Sequence, residues 1–322
     1  MRALWRRRLR FACCALALAF CLAGCVSLPQ SEALRAQAPG GLPPRVEIAG
    51  VPFYPPEDFL CGPAALAMVF APAGVHADVE ALRPLVYLPG RHGSLQAEML
   101  GATRRSGLLA YPLAPRMQDL LRELAAGTPA VVLLNLSLRI APIWHYAVIL
   151  GYDLERRIFV VRSGARPREE WDFGFLEFLW RDGGYWSMLA LAPGRLPASA
   201  HEPELGAAIA ALEQAGRPRE ARASYRALLE RWPASLAGLI GLGNTEYALG
   251  DRAAAERALR RAAKAHPDSV AALNNHAQVL AELGRLDEAE RAARAAVALG
   301  GPLQAEARKT LESIVQRRAP RR

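Results

Sequence analysis

Beyond its first 25 residues this 322-residue chain contains one cysteine, Cys61; the other four, Cys13, Cys14, Cys21 and Cys25, all fall near the N-terminus. No disulfide can therefore staple the remaining 297 residues, which must hold their shape by burying apolar cores and are long enough for two domains. A membrane-spanning run is also missing at the N-terminus: the apolar stretch from Phe11 to Leu22 has 12 residues, too few to cross a bilayer. Excess charge is modest. The formal net charge is +9, but five of the 40 basic residues and none of the 31 acidic ones lie in the first 25, leaving +4, too little to argue for nucleic acid as a partner. Of the six histidines, His92 lies in Arg91-His92-Gly93, while His76, His201, His266 and His276 stand alone. None pairs with Cys or acid at metal-ligand spacing, and no Gly-rich loop is shaped to cradle phosphate, so neither a metal nor another cofactor is expected.

What is present begins with an export signal. Arg6, Arg7, Arg8 and Arg10 precede the short apolar stretch, which closes on Leu22-Ala23-Gly24-Cys25. That ending resembles a lipobox, which implies cleavage of residues 1–25 as a signal peptide, lipidation of Cys25 and a lipid anchor on the periplasmic face of a bacterial membrane. Val26 rather than Asp follows Cys25, so the outer membrane is the expected destination. Residues 26–44 (Ser, Gln, Pro, Gly, Ala) read as a flexible tether. An exported chain with one thiol and no disulfide points to a thiol kept for reactivity.

Cys61 lies within Val51-Pro52-Phe53-Tyr54-Pro55-Pro56, then Glu57 to Cys61, followed by Gly62-Pro63 and an apolar run to Phe70. The prolines exclude helix before Cys61, and Pro63 with the following Ala, Leu and Met residues starts one. Cys61 is thus expected at a helix N-terminus, where a thiolate is favoured; a paired thiol there should fall below about 7.5, against about 8.5 when free. The first domain is read as residues 45–193, α+β, with helices at 61–71, 94–106, 116–126 and 170–181. Strands are expected at 108–112, 130–135, 143–151, 157–162 and 185–191 in a largely antiparallel sheet. His145 opens a buried strand and can serve as the base a Cys nucleophile needs. Asp153, some 26 Å along the strand, belongs to the turn. Reflecting the hairpin about residue 154 makes Ser163 the best-placed polar residue to orient His145, with Asn135 as the alternative.

The run Asp58-Phe59-Leu60-Cys61-Gly62-Pro63-Ala64-Ala65-Leu66, followed by His145-Tyr146-Ala147-Val148-Ile149-Leu150-Gly151-Tyr152-Asp153, resembles the double-glycine (bacteriocin-processing) cysteine peptidase family, closest to a lipoprotein branch carrying helical repeats. The resemblance covers residues 46–192 and implies a papain-like fold, with Cys61 as nucleophile and His145 as general base. Two positions depart from that pattern. Ser163 stands where the family has an orienting Asp, and Pro55 and Pro56 stand where it has a Gln that binds the oxyanion; Gln96, in Gly93-Ser94-Leu95-Gln96, is an alternative donor.

From residue 202 the sequence repeats every 34 residues: Gly216, Gly250 and Gly284; Ala221, Ala255 and Ala289; Tyr225, Leu259 and Ala293; Pro233 and Pro267, with Pro302 one late. This resembles tetratricopeptide repeats over 202–318, three units and a capping helix, which imply peptide or protein binding and should fold without the first domain. The whole reads as a papain-like cysteine peptidase domain followed by an all-α tetratricopeptide-repeat domain: an exported lipoprotein that hydrolyses peptide bonds through a Cys-His pair. The alternatives are a catalytically impaired scaffold that binds peptides or partner proteins, and a Cys-His amidase acting on cell-wall peptide.

Overall fold

A computed structural model of the chain describes residues 27–37, 39–57 and 59–318. Cys25 and the export signal lie outside these residues. Among the described residues no helix is long and apolar enough to cross a membrane.

The first structural surprise is a helix where a tether was expected. Helix α1, Pro29–Ala36, buries Ser31 and packs Leu34 on the core. Eight residues are too few to stay helical alone, so α1 depends on what it touches. Its N-cap, Leu28, offers no side-chain bond; instead the fully buried Glu177 accepts hydrogen bonds from the amides of Gln30 (2.9 Å) and Ser31 (2.6 Å). A tertiary carboxylate thus does the work of a local cap at the positive end of the helix. Composition alone read 26–44 as linker because this partner lies about 150 residues away in sequence.

The first domain centres on an antiparallel sheet. Strand β1 is Arg45–Glu47, and helices α2 (Cys61–Phe70) and α3 (Val79–Val86) follow. Two-residue strands β2 (Tyr87–Leu88) and β3 (Gly93–Ser94) form a separate small hairpin before α4, Gln96–Arg105. Then come β4 (Leu109–Pro112), α5 (Met117–Ala125), β5 (Ala130–Asn135), β6 (Trp144–Asp153), β7 (Ile158–Ser163), β8 (Arg166–Asp172), α6 (Phe173–Trp180) and β9 (Ser187–Leu191). The sheet order is β4-β9-β5-β6-β7-β8, with β1 also on β6. Both faces are covered, which accounts for the near-continuous apolar runs of β5 and β6. Tyr146, Val148, Leu150 and Val160 face a core shared with α2 and α3, whereas Ala147, Ile149, Phe159 and Val161 face one shared with α5 and α6.

One expected helix begins later than the sequence suggests. Residues 166–172 form edge strand β8 rather than opening the helix read at 170–181, and Asp172 then caps α6 through Gly174 N at 2.8 Å. The charges of β8 suit an exposed edge: Arg168 bonds Glu47 (2.9 and 3.1 Å), and Glu170 accepts from Arg156 and Arg168.

Seven helices complete the described residues: α7 (Glu202–Gln214), α8 (Pro218–Arg231), α9 (Leu236–Ala248), α10 (Arg252–Ala265), α11 (Val270–Glu282), α12 (Leu286–Leu299) and α13 (Gln304–Arg318). Gly216, Gly250 and Gly284 turn each pair with φ of 77°, 87° and 76°, a left-handed conformation that a side chain disfavours. Ala221, Ala255 and Ala289 are fully buried where paired helices cross. This array does not stand apart, contrary to the expectation from its repeats. Leu205, Ile209, Leu212, Tyr225 and Leu228 of α7 and α8 belong to the same buried cluster as Leu109, Tyr111 and Leu191 of the sheet. Gly194 N also donates to Ser224 Oγ at 3.3 Å. The first helix pair therefore acts as a further layer of the sheet domain.

Candidate active site and repeat groove

Chain geometry sets Cys61 at the first position of α2. Phe59 adopts φ of 65°, a costly left-handed conformation for an aromatic residue, and Leu60 N closes the turn on Glu57 O at 3.0 Å. Upstream, the guanidinium of Arg162 holds the carbonyls of Val51 and Pro52, fastening the Pro-rich stretch to β7 beside Ser163. Gly62 follows because nothing larger fits: a methyl group there would run into the Ser94 side chain. Among the described residues the buried Ser94 hydroxyl has no partner, and its carbonyl accepts from Tyr146 Oη at 3.2 Å.

The backbone amides of Tyr146, Gly62 and Cys61 lie near the Cys61 thiol and favour its thiolate form. Strands β6 and β7 pair as far as Val148 opposite Arg162, and the residues of β6 before Val148 run past the end of that pairing. His145 is the residue preceding Tyr146, and its Nε2 lies 3.2 Å from Ser163 Oγ. His145 and Ser163 are thereby joined at one strand end, and Cys61 lies beside the next residue, Tyr146. With Nε2 engaged by Ser163, Nδ1 is the other ring nitrogen through which His145 can exchange a proton. Asn135 is not part of this group: its Oδ1 accepts from Ser137 N (3.1 Å) and Ile143 N (3.0 Å), and its Nδ2 donates to Asp182 (3.3 Å), so it clamps the loop before β6. Asp153 accepts from Arg156 N in the turn. Gln96 opens α4, two residues beyond Ser94.

The electrostatics run against the expected low thiol pKa. Burial pushes the Cys61 thiol up, and the nearby backbone amides only partly counter this. Burial also holds the His145 imidazole below its ordinary value. Both shifts favour a neutral thiol and a neutral imidazole over their charged forms. The Tyr146 phenol is raised too, first by burial and then by the charge a Cys61 thiolate would carry. Among the described residues no three His, Cys, Asp or Glu side chains gather to hold a metal ion.

A second concavity lies on the helical array, a groove of about 420 Å³ whose lining includes Asn244, Tyr247, Asn275, Gln278, Lys309 and Arg317. Asn275 Nδ2 donates to Asn244 Oδ1 at 3.3 Å, and Tyr247 Oη to Glu282 at 2.5 Å. Residues 205–250 and 240–304 match the family model described as tetratricopeptide repeat. The C-terminal helices are tetratricopeptide repeats. Similar solved structures align with about a third of this chain. The Yersinia enterocolitica type III secretion chaperone SycD, in complex with a peptide of the translocator YopD, is 21% identical, with 36% of this chain and 94% of that chain covered and a TM-score of 0.34. PcrH from Pseudomonas aeruginosa is 26% identical, with 35% and 91% covered and a TM-score of 0.34. The first tetratricopeptide domain of human RPAP3 is 20% identical, with 36% and 90% covered and a TM-score of 0.34. No curated protein matches the chain. The repeats supply a surface for protein or peptide binding.

Two contributors to the candidate site escaped the sequence reading. Tyr146 acts through its main chain, which no residue type announces. Ser94 reaches Gly62 from a strand of two residues, too short to leave a periodic signal.

Proposed function

We propose that the chain is an exported lipoprotein whose first domain is a papain-like cysteine peptidase and whose repeats recruit the protein or peptide to be cut. One observation carries the reading: the Cys61 thiol, at the start of α2, lies against the Tyr146 amide, directly after a His145 whose Nε2 bonds Ser163. In this scheme His145 Nδ1 takes the thiol proton as sulfur attacks the peptide carbonyl, forming the C–S bond. It returns that proton to the leaving amine as the C–N bond breaks, and water then hydrolyses the thioester. The helix N-terminus favours the transient thiolate and the developing oxyanion. Ser163 holds the ring but brings no charge to stabilise the imidazolium, so turnover is slow.

A second reading, a scaffold that binds peptide without cutting it, has its own support in the burial that keeps Cys61 and His145 neutral and in Pro55 and Pro56, which cannot donate to an oxyanion. Repair separates the two. In a peptidase, Pro56→Gln and Ser163→Asp each raise cleavage of a peptide library, and Cys61→Ala removes it. If neither repair yields cleavage and alkylation of Cys61 ignores His145→Ala, the scaffold reading stands.

A further inference from the structure

The loop between β5 and β6 carries apolar side chains into solvent at its tip. Ile140 is 91% exposed and Leu138 69%, with Ile143 and Trp144 about half exposed. This is not a loosely hanging segment: buried Asn135 ties both of its ends, Leu136 N bonds Ile143 O at 2.8 Å, and Ala141 N bonds Leu138 O at 3.0 Å. Fixed apolar residues at a tip cost solubility and mark an interaction surface. The same Asn135 bonds Asp182, as does Arg139 at 3.5 Å, which sets the loop beside the C-terminal end of α6. There Phe175 and Phe178, three residues apart and so on one helix face, are also exposed, with the Arg181 guanidinium 4.9 Å from the Phe178 ring centre.

The course of the N-terminal chain says what covers this surface. Leu28 is in contact with α6, its side chain 3.4 Å from where a methyl group on Gly174 would lie, and α1 is clamped to the same helix by Glu177. Only Val26 and Ser27 separate Leu28 from Cys25, a span of at most roughly 10 Å. An acyl chain on Cys25 would therefore enter the bilayer next to Phe175 and Phe178. We propose that the loop at 136–144 and the exposed face of α6 dock on the lipid surface, with Ile140, Leu138 and the aromatic side chains in the interface and Arg139 and Arg181 at anionic headgroups. The proposal rests on lipidation of Cys25 and is independent of whether Cys61 cuts peptides. Trp144 directly precedes His145, so the candidate site lies at the membrane-facing end of the domain.

The test uses the full chain, produced with its own signal and reconstituted into phosphatidylethanolamine–phosphatidylglycerol vesicles, after intact mass has established whether Cys25 is acylated. Lipids brominated on the acyl chain should quench at least twofold the emission component that Trp144→Phe removes. Amide exchange at 136–144 and 171–182 should slow at least tenfold on vesicles, with α11 to α13 unchanged. An unacylated mass ends the anchor and the docking together. An acylated mass with unquenched Trp144 and unchanged exchange ends the docking alone. Protection of the loop by a soluble peptide, with none from vesicles, would assign the surface to a protein partner and also overturn the proposal.

Discussion

Replacing Glu177 should release α1 while leaving the rest of the domain folded. Its carboxylate is fully buried and accepts from two α1 amides, with Tyr185 Oη 3.4 Å away as a weaker third contact. Hydrogen bonds to charged groups contribute about 1.5–3 kcal/mol each, so the two short ones are worth roughly 3–6 kcal/mol together. Removing the side chain also removes a buried charge, which offsets several kcal/mol of that. The local loss in Glu177→Ala should then be about 3 kcal/mol; Glu177→Gln, which keeps one acceptor, should lose about half as much. Because an eight-residue helix can undock, the loss should appear as local opening. Amide exchange across Gln30 to Ala36 should accelerate about a hundredfold or more, and proteolysis should appear at Arg35, while exchange in β5 and β6 stays as in the wild type. Unchanged protection of α1 in Glu177→Ala would show that burial of Leu34 and the Gln30 side-chain bonds, to Pro115 O and from Met117 N, hold the helix and that the carboxylate does not.

Two other outcomes follow from the site and the core. Because burial raises the Cys61 thiol, its alkylation should be slower than that of a free thiol at pH 7 and climb through the alkaline range, whereas a stable ion pair would keep it fast at pH 6. Because burial lowers His145, the imidazole stays neutral down to below the ordinary value of about 6.5, so any peptidase activity should keep its acid limb below that pH; a limb above 7 would contradict the direction. Residues 202–318 expressed alone should self-associate through the uncovered faces of α7 and α8, seen by sedimentation. A well-behaved monomer would refute the shared core.

How much of this was legible beforehand depended on the range of the interactions involved. Strand β5 stands at 130–135, as the continuous apolar run indicated, and α2 begins at Cys61 because Pro63 and the preceding prolines act within a few residues. The 34-residue period survives in the fully buried alanines, since each repeat solves the same local packing problem. Hairpin arithmetic pointed at Ser163, but the turn pairs Asp153 with Ile158 and so centres later than residue 154; even after the shift between Ile149 and Gly151, Ser163 stands one step past the pair Val148 and Arg162, and His145 reaches it along a diagonal. At the shift β1 runs so close to Gly151 that a side chain there would strike the Val46 backbone. Helix α1, the role of Ser94 and the attachment of the first repeat were hidden for a related reason. Each depends on a partner 30 to 150 residues away, and nothing in the local pattern names it.

The buried joint between the repeats and the sheet has a mechanical consequence. Two domains on a swivel let a captured molecule sweep through a volume, and its chance of meeting a site is set by linker length. Here no swivel exists between α7 and the sheet, because Leu205, Ile209 and Tyr225 are locked into the same core as Leu109 and Leu191. On the proposed peptidase reading, a chain gripped in the groove along α9 to α13 would be presented to the sheet domain at one bearing and one distance. Substrate choice would then work like a ruler: the number of residues between the gripped segment and the strand end at His145 decides which peptide bond can arrive there.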